Sequence, residues 1–269
     1  MKIGFIGAGN MAEAIIKGLT PKDTIKPENI MVFDIDKNKL SNLLQAISIT
    51  IASSNEEIIK VCDYVVLAVK PHIYEPLINE LKETIINKKP VIISIAAGIT
   101  IDKIHSFLGC DMIPIVRVMP NVCVSVLEGM SAICQNTQTS SAQLETVNNI
   151  FSSIGKTVFL EEKYFEVYAG IAGCSPAFVF MFIEGLAKAG LKWGLSKKDA
   201  TLIATQAVFG AAKMILETGE HPIASIDKVT SPGGTTIAGV SKLEEKAFIS
   251  TIIEAVEATI KRDKEMQNM

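Results

Sequence analysis

The stretch "KIGFIGAGNMAEAI", residues 2–15, constrains the fold of this chain more than any other. A short apolar run gives way to Gly7-Ala8-Gly9-Asn10-Met11-Ala12, a G-x-G-x-x-A string, and a helical pattern follows at once. Each small residue has a mechanical reason. Gly7 permits a tight strand-to-helix turn, Gly9 lets a pyrophosphate approach the backbone, and Ala12 keeps helix and strand close. The helix N-terminus then offers oriented N–H groups to the anion. A tight turn alone also uses glycine, so the context decides.

That context is a regular alternation. Near-continuous apolar runs recur at 2–6, 30–34, 48–51, 63–69, 90–96 and 113–118, separated by helical patterns such as "YEPLINELKETI". Runs of this kind suit strands buried on both faces of a parallel sheet, and strand alternating with helix predicts a doubly wound, Rossmann-type α/β domain. A further strand, helix and strand at 129–136, 140–154 and 156–160 extend the same sheet. Strand-like runs then cease, and long helical patterns occupy about 164–193, 196–218 and 236–266. The expected division is therefore 1–162, a dinucleotide-binding domain, and 163–269, an all-helical domain. Its segment "SPAFVFMFIEGLAKAGLKWGL" is apolar on nearly every face, and a small domain buries such a helix most easily against a second subunit.

Composition closes off other classes. Apolar residues make up 48% and charged ones 20% of the chain, with a net charge of −3, which gives no electrostatic case for nucleic acid or an anionic membrane. Glycines and Asn10 interrupt the N-terminal apolar stretch too early for a signal peptide, and no apolar run approaches the ~20 residues of a membrane span. A cytoplasmic protein is expected. Five cysteines without a C-x-x-C pair and three histidines predict reduced thiols and no metal site.

Candidate cofactor contacts cluster where strands end. Ile6, Gly7, Ala8, Gly9, Asn10 and Met11 form the phosphate loop. Asp34 ends the second strand, where a carboxylate accepts hydrogen bonds from the adenosine ribose and disfavours a 2′-phosphate. The cofactor is thus NADH or NADPH with a slight lean to NADH, softened by Lys37 and Lys39; Asp34 could equally cap the next helix. Ala68, Val69, Lys70 and Pro71 end the fourth strand, and Ala96 and Ala97 end the fifth with room for a flat ring.

Several motifs together resemble the pyrroline-5-carboxylate reductase family: "GFIGAGNMAEAI", Asn55 in "SSNEE", "AVKP", "SIAAGITI", "RVMPN" ending at Asn121, "SPAFVFMFIEGLAKAG", "QAVFGAAKMI" and "VTSPGGTTIAGVSKLE". They run in the family's order along nearly the whole chain. The resemblance implies reduction of the cyclic imine 1-pyrroline-5-carboxylate to L-proline. It also implies a helical second domain that forms an intertwined homodimer, in which the partner subunit brings the SPGGTT segment. It adds Asn55 and Asn121 to the cofactor contacts. Ser231, Gly233, Gly234, Thr235 and Thr236 become substrate contacts, with Thr236 the catalytic hydroxyl at the ring nitrogen, and Glu162 lies near the substrate.

The helix after this segment is expected to begin near Ile237, so that glycine N–H groups receive the substrate carboxylate; a threonine N-cap is the competing use. Two departures stand out. The family's MPNTP is here Met119-Pro120-Asn121-Val122-Cys123, and its SGSGPA is Ala172-Gly173-Cys174-Ser175-Pro176-Ala177. Cys123 and Cys174 are read as small buried thiols, His221 as structural or solvated, and Arg117 as pairing with a carboxylate or shaping its loop. Two other functions stay open: reduction of a different cyclic imine or short keto acid, and a non-catalytic nucleotide-binding role.

Overall fold

The computed structural model describes residues 1–19 and 25–267. The chain divides into two compact units, residues 1–173 together with the end of the last helix from Arg262, and Cys174–Lys261.

The first unit is built on an eight-stranded sheet in the order β3-β2-β1-β4-β5-β6-β7-β8. The strands are β1 (Ile3–Ile6), β2 (Ile30–Phe33), β3 (Thr50–Ile51), β4 (Tyr64–Leu67), β5 (Val91–Ser94), β6 (Ile115–Pro120), β7 (Gly129–Gln135) and β8 (Gly155–Phe159). The helices between them are α1 (Asn10–Leu19), α2 (Lys37–Ala46), α3 (Asn55–Val61), α4 (Tyr74–Lys88), α5 (Ile101–Leu108) and α6 (Ser141–Ser152). Every residue of β1, β4, β5 and β6 is buried, as the continuous apolar runs required. Alternate side chains feed two cores. Ile6, Leu67 and Ile92 lie with α3, α4 and α5, while Phe5, Val66 and Ile93 lie with α1, α2 and α6.

One pair departs from the expected parallel sheet: β6 and β7 run antiparallel. Only residues 121–128 join them, folded as a 3-10 turn over Val122–Val126, and a parallel crossover needs a dozen residues or more. The start of α6 is set by a reciprocal capping box between Ser140 and Gln143.

After β8 the chain makes the short helix α7 (Phe165–Tyr168) and a π-helical turn over Ala169–Cys174. Phe165 and Tyr168 are buried in the core on the α4 side of the sheet, so the first unit reaches Gly173, beyond the division at 162 read from sequence.

The second unit contains α8 (Ser175–Lys192), α9 (Lys197–Thr218), α10 (Pro222–Lys228), α11 (Thr235–Glu245) and most of α12 (Phe248–Gln267). Sequence periodicity missed α10, a seven-residue helix too short to show a repeat, and ran α11 and α12 together. The break between them is Ala247, whose φ of 53° is left-handed. A Cβ is strained there, so Ala247→Gly should stabilise the fold by about 1 kcal/mol, read as a rise in Tm; an unchanged or lower Tm would refute the strain.

This unit has almost no core of its own. Its buried cluster is Ala187, Ala200 and Ala204 with Ile183 against them, while Phe180, Met181, Leu202, Phe209 and Leu216 are more than half exposed. By length and composition, Glu162–Lys192 and Lys197–Thr218 could each cross a bilayer, since each contains an 18-residue stretch of mean hydropathy 1.6 and 1.2 respectively. The sequence reading expected no apolar run of about 20 residues; the structure makes each of these segments helical over that length. An apolar surface of this extent needs a cover.

Candidate active site

In the first unit β1, β2, β4 and β5 finish level, with Ile6 beside Phe33 and Leu67 and Leu67 beside Ser94, while β6 runs three residues past Arg117, the partner of Ser94. Their C-terminal ends form the edge where open α/β sheets bind ligands. Gly7 turns the chain there at φ 102°, and its N–H donates to the Phe33 carbonyl at 2.8 Å. A Cβ on Gly7 would stand 2.7 Å from the Ala68 carbonyl oxygen, whereas one on Gly9 would meet nothing within 4 Å. The loop is therefore closed on the sheet side and open on the other, as a pyrophosphate requires.

Asp34 does more than the sequence suggested. One carboxylate oxygen accepts the Ala8 N–H at 2.7 Å, the other accepts the Asp36 N–H at 2.8 Å, and Lys39 Nζ lies 3.6 Å away. The helix-capping alternative for Asp34 is corrected: the N-cap of α2 is Asp36. The Ala8 N–H is thereby directed at Asp34. Each Asp34 oxygen keeps a further lone pair for a hydroxyl.

The remaining expected cofactor residues line the same edge. Asn55 opens α3 behind the N-cap Ser54, and its Oδ1 is buried without a hydrogen-bond partner. An orphaned buried acceptor costs stability unless a ligand donor meets it. Lys70 and Pro71 are exposed, Ala68 and Val69 half-buried, Ala96 buried and Ala97 exposed. Asn121 is a knot in the chain: its Oδ1 accepts from the Cys123 and Met130 amides, and its Nδ2 donates to the Ala172 carbonyl at 2.9 Å. Its side chain holds the loop after β6 and has one N–H left for a ligand. The open glycine loop and the unpartnered Asn55 acceptor fit a dinucleotide.

Glu162 is held rather than free. Its Oε1 accepts from Arg117 Nη1 at 2.8 Å and from the Ile101 N–H at 2.9 Å. Arg117 is 3% exposed, with its guanidinium 4.6 Å from the centre of the Phe165 ring. Sequence reasoning left the partner of Arg117 unnamed, since nothing in the spacing of residues 117 and 162 marks them as neighbours.

In the second unit the SPGGTT segment forms a turn leading into α11. Gly233 sits at φ 68°, where glycine is the residue of choice, and the Gly234 N–H donates to the Ser231 carbonyl at 3.0 Å. Helix α11 starts at Thr235, two residues before the expected Ile237, with Gly234 as N-cap and no side-chain cap. Two expectations change. Neither threonine is the N-cap, so both exposed hydroxyls remain uncommitted to capping. The Gly234 N–H is spent in the turn, so the amides offered to an anion belong to Thr235, Thr236 and Ile237. The helix has no acidic residue in its first turn to compete.

Residues 162–266 match the family model for pyrroline-5-carboxylate reductase dimerisation, and residues 2–98 match the model described as NADP oxidoreductase, coenzyme F420-dependent. The pyrroline-5-carboxylate reductase of Escherichia coli is 40% identical over 265 residues, covering 98% of each chain. The chain belongs to the pyrroline-5-carboxylate reductase family. Solved structures agree along the full length. The pyrroline-5-carboxylate reductase of Coxiella burnetii superposes with a TM-score of 0.92 at 34% identity, covering 98% of this chain and 97% of that one. The Plasmodium falciparum pyrroline carboxylate reductase with NADP bound gives 0.88 at 34% identity, covering 99% and 98%.

As a pyrroline-5-carboxylate reductase family member, the chain is an NAD(P)H-dependent oxidoreductase, and its poorly cored helices fall in the family's dimerisation segment. Its departures from the family pattern lie in exposed or half-buried places. Val122 is 55% exposed, and Cys123 and Cys174 are half-buried rather than buried. The buried thiols are Cys62 and Cys134, whose pKa values burial pushes up to about 11 and about 12, which keeps them inert at neutral pH. His221 is the N-cap of α10, its Nδ1 accepting from the Ile223 N–H at 3.3 Å, a structural role.

Proposed function

We propose that the chain reduces the C=N bond of 1-pyrroline-5-carboxylate to give L-proline, the last step of proline biosynthesis, as a cytoplasmic homodimer. The observation that carries this reading is α11: its open N-terminus and paired exposed hydroxyls occur in a chain similar to pyrroline-5-carboxylate reductases along its whole length. The bound reduced nicotinamide supplies the hydride that the imine carbon receives.

The chain's own residues bind and orient. The Gly7–Met11 loop and the N-terminus of α1 hold the pyrophosphate, and Asn55 Oδ1 accepts from the adenosine end. Ala96 and Ala97 leave a flat surface for the ring. The first-turn amides of α11 receive the substrate carboxylate, and the Thr236 hydroxyl hydrogen-bonds the ring nitrogen. A protonated iminium is already electrophilic, so positioning and one hydroxyl suffice without a strong general acid. In the dimer the SPGGTT segment of one subunit serves the nicotinamide of the other, which is why the second unit carries more apolar surface than it can bury alone.

Oxidation of NADH and NADPH is measured with five- and six-membered cyclic imines. The expected result is turnover on pyrroline-5-carboxylate; a better rate on the six-membered ring, or cofactor binding without turnover, would overturn the proposal. On cofactor choice we infer a lean to NADH from Asp34, opposed by Lys39 at 3.6 Å. Lys39→Glu should shift the kcat/KM ratio toward NADH by about tenfold, the scale of one charge near a phosphate at a partly exposed site. An unchanged ratio would remove the end of β2 from cofactor discrimination.

A further inference from the structure

We propose that Arg117 and Glu162 are positioning residues for the loop between β5 and α5, and that Glu162 acts through that loop rather than on the substrate. The proposal rests on the reductase reading and gives Glu162 a different part in it. Arg117 and Glu162 between them hold both ends of the loop. Where the loop begins, Ser94 pairs with Arg117 in the sheet register. Where it ends, Ile101 donates its N–H to the same Glu162 oxygen that accepts from Arg117.

Between these anchors lie Ala96 and Ala97, the small residues on which the reacting ring is expected to rest. The Phe165 ring fixes the guanidinium from a third side. The first turn of α5 then has two caps, Thr100 Oγ1 on the Lys103 N–H and Glu162 on the Ile101 N–H, and a carboxylate is well suited to a helix N-terminus. A cavity of about 210 Å³ bounded by Thr100, Arg117, Glu162, Lys163, Phe165 and Glu166 lies beside the pair. A loop released from Glu162 has room to move there.

A displaced nicotinamide surface lowers the rate of hydride transfer without removing a substrate contact. Two variants separate reach from charge. Glu162→Gln keeps an acceptor oxygen for Ile101 without the charge, and Glu162→Asp keeps the charge but withdraws it by one methylene. Glu162→Asp should lower kcat about 10- to 100-fold with KM for substrate and cofactor within about threefold, and Glu162→Gln should stay within about fivefold of the parent.

Hydrogen exchange at the Ile101 amide, measured without ligand, should quicken at least about tenfold in Glu162→Asp and stay near the parent value in Glu162→Gln. A raised substrate KM at constant kcat would overturn the proposal in favour of direct substrate contact. An active Glu162→Asp beside an inactive Glu162→Gln would overturn it in favour of charge alone. Should the parent chain fail to turn over pyrroline-5-carboxylate, the functional reading falls by itself, and the exchange rates still decide whether Glu162 anchors the loop.

Discussion

Thr236→Ala is expected to lower kcat about 10- to 1000-fold, equivalent to about 1.4–4 kcal/mol of transition-state stabilisation, while the Kd for reduced cofactor stays within about twofold. The structure makes this substitution a clean probe. Thr236 is the second residue of α11, and the N-cap is Gly234, so removing the hydroxyl removes no cap. The side chain is exposed and alanine is the better helix former, so Tm should hold or rise slightly. Loss of rate therefore reports chemistry and not folding. Thr235→Ala, one position earlier on the same turn, provides the contrast: its larger effect should fall on substrate KM. Steady-state and single-turnover kinetics check both. Unchanged turnover in Thr236→Ala would take the hydroxyl out of the mechanism.

The strands were legible because burial on both faces writes itself as uninterrupted apolar runs, and "KIGFI", "DYVVLAV" and "PVIISIA" all became central strands. The glycine loop was legible because a left-handed turn with a close carbonyl leaves few choices of residue at position 7. What escaped has a common cause. The direction of β7 depends on the length of its connection, and the partners of Asp34, Asn121 and Glu162 are set by three-dimensional register. Asp34 to Ala8, Asn121 to Ala172 and Glu162 to Ile101 join residues far apart in sequence, and no local periodicity encodes them. The threonine capping question turned on where α11 begins, a shift of two residues that helical periodicity resolves poorly but that reassigns which amides face an anion.

Leu202→Glu should abolish activity and the dimer together. On α9, Leu202, Phe209 and Leu216 recur every seven residues and so share one face; they are 67%, 52% and 74% exposed in the single chain. The opposite face of the same helix supplies Ala200 and Ala204, which with Ala187 are all the second unit buries for itself. Three alanines cannot offset the ordering of its helices, whereas covering each Leu or Phe of the exposed stripe is worth about 1.5–3 kcal/mol. A second copy covering that stripe would supply the apolar burial that this unit lacks by itself. A carboxylate there either carries an uncompensated charge into the interface or holds the subunits apart. Sedimentation should show loss of the dimer, with kcat/KM down more than about 100-fold and a lowered Tm, since the second unit would lose most of its apolar burial. A dimeric, active Leu202→Glu protein would place the interface elsewhere. It would also remove the reason for a helix that is apolar on both faces.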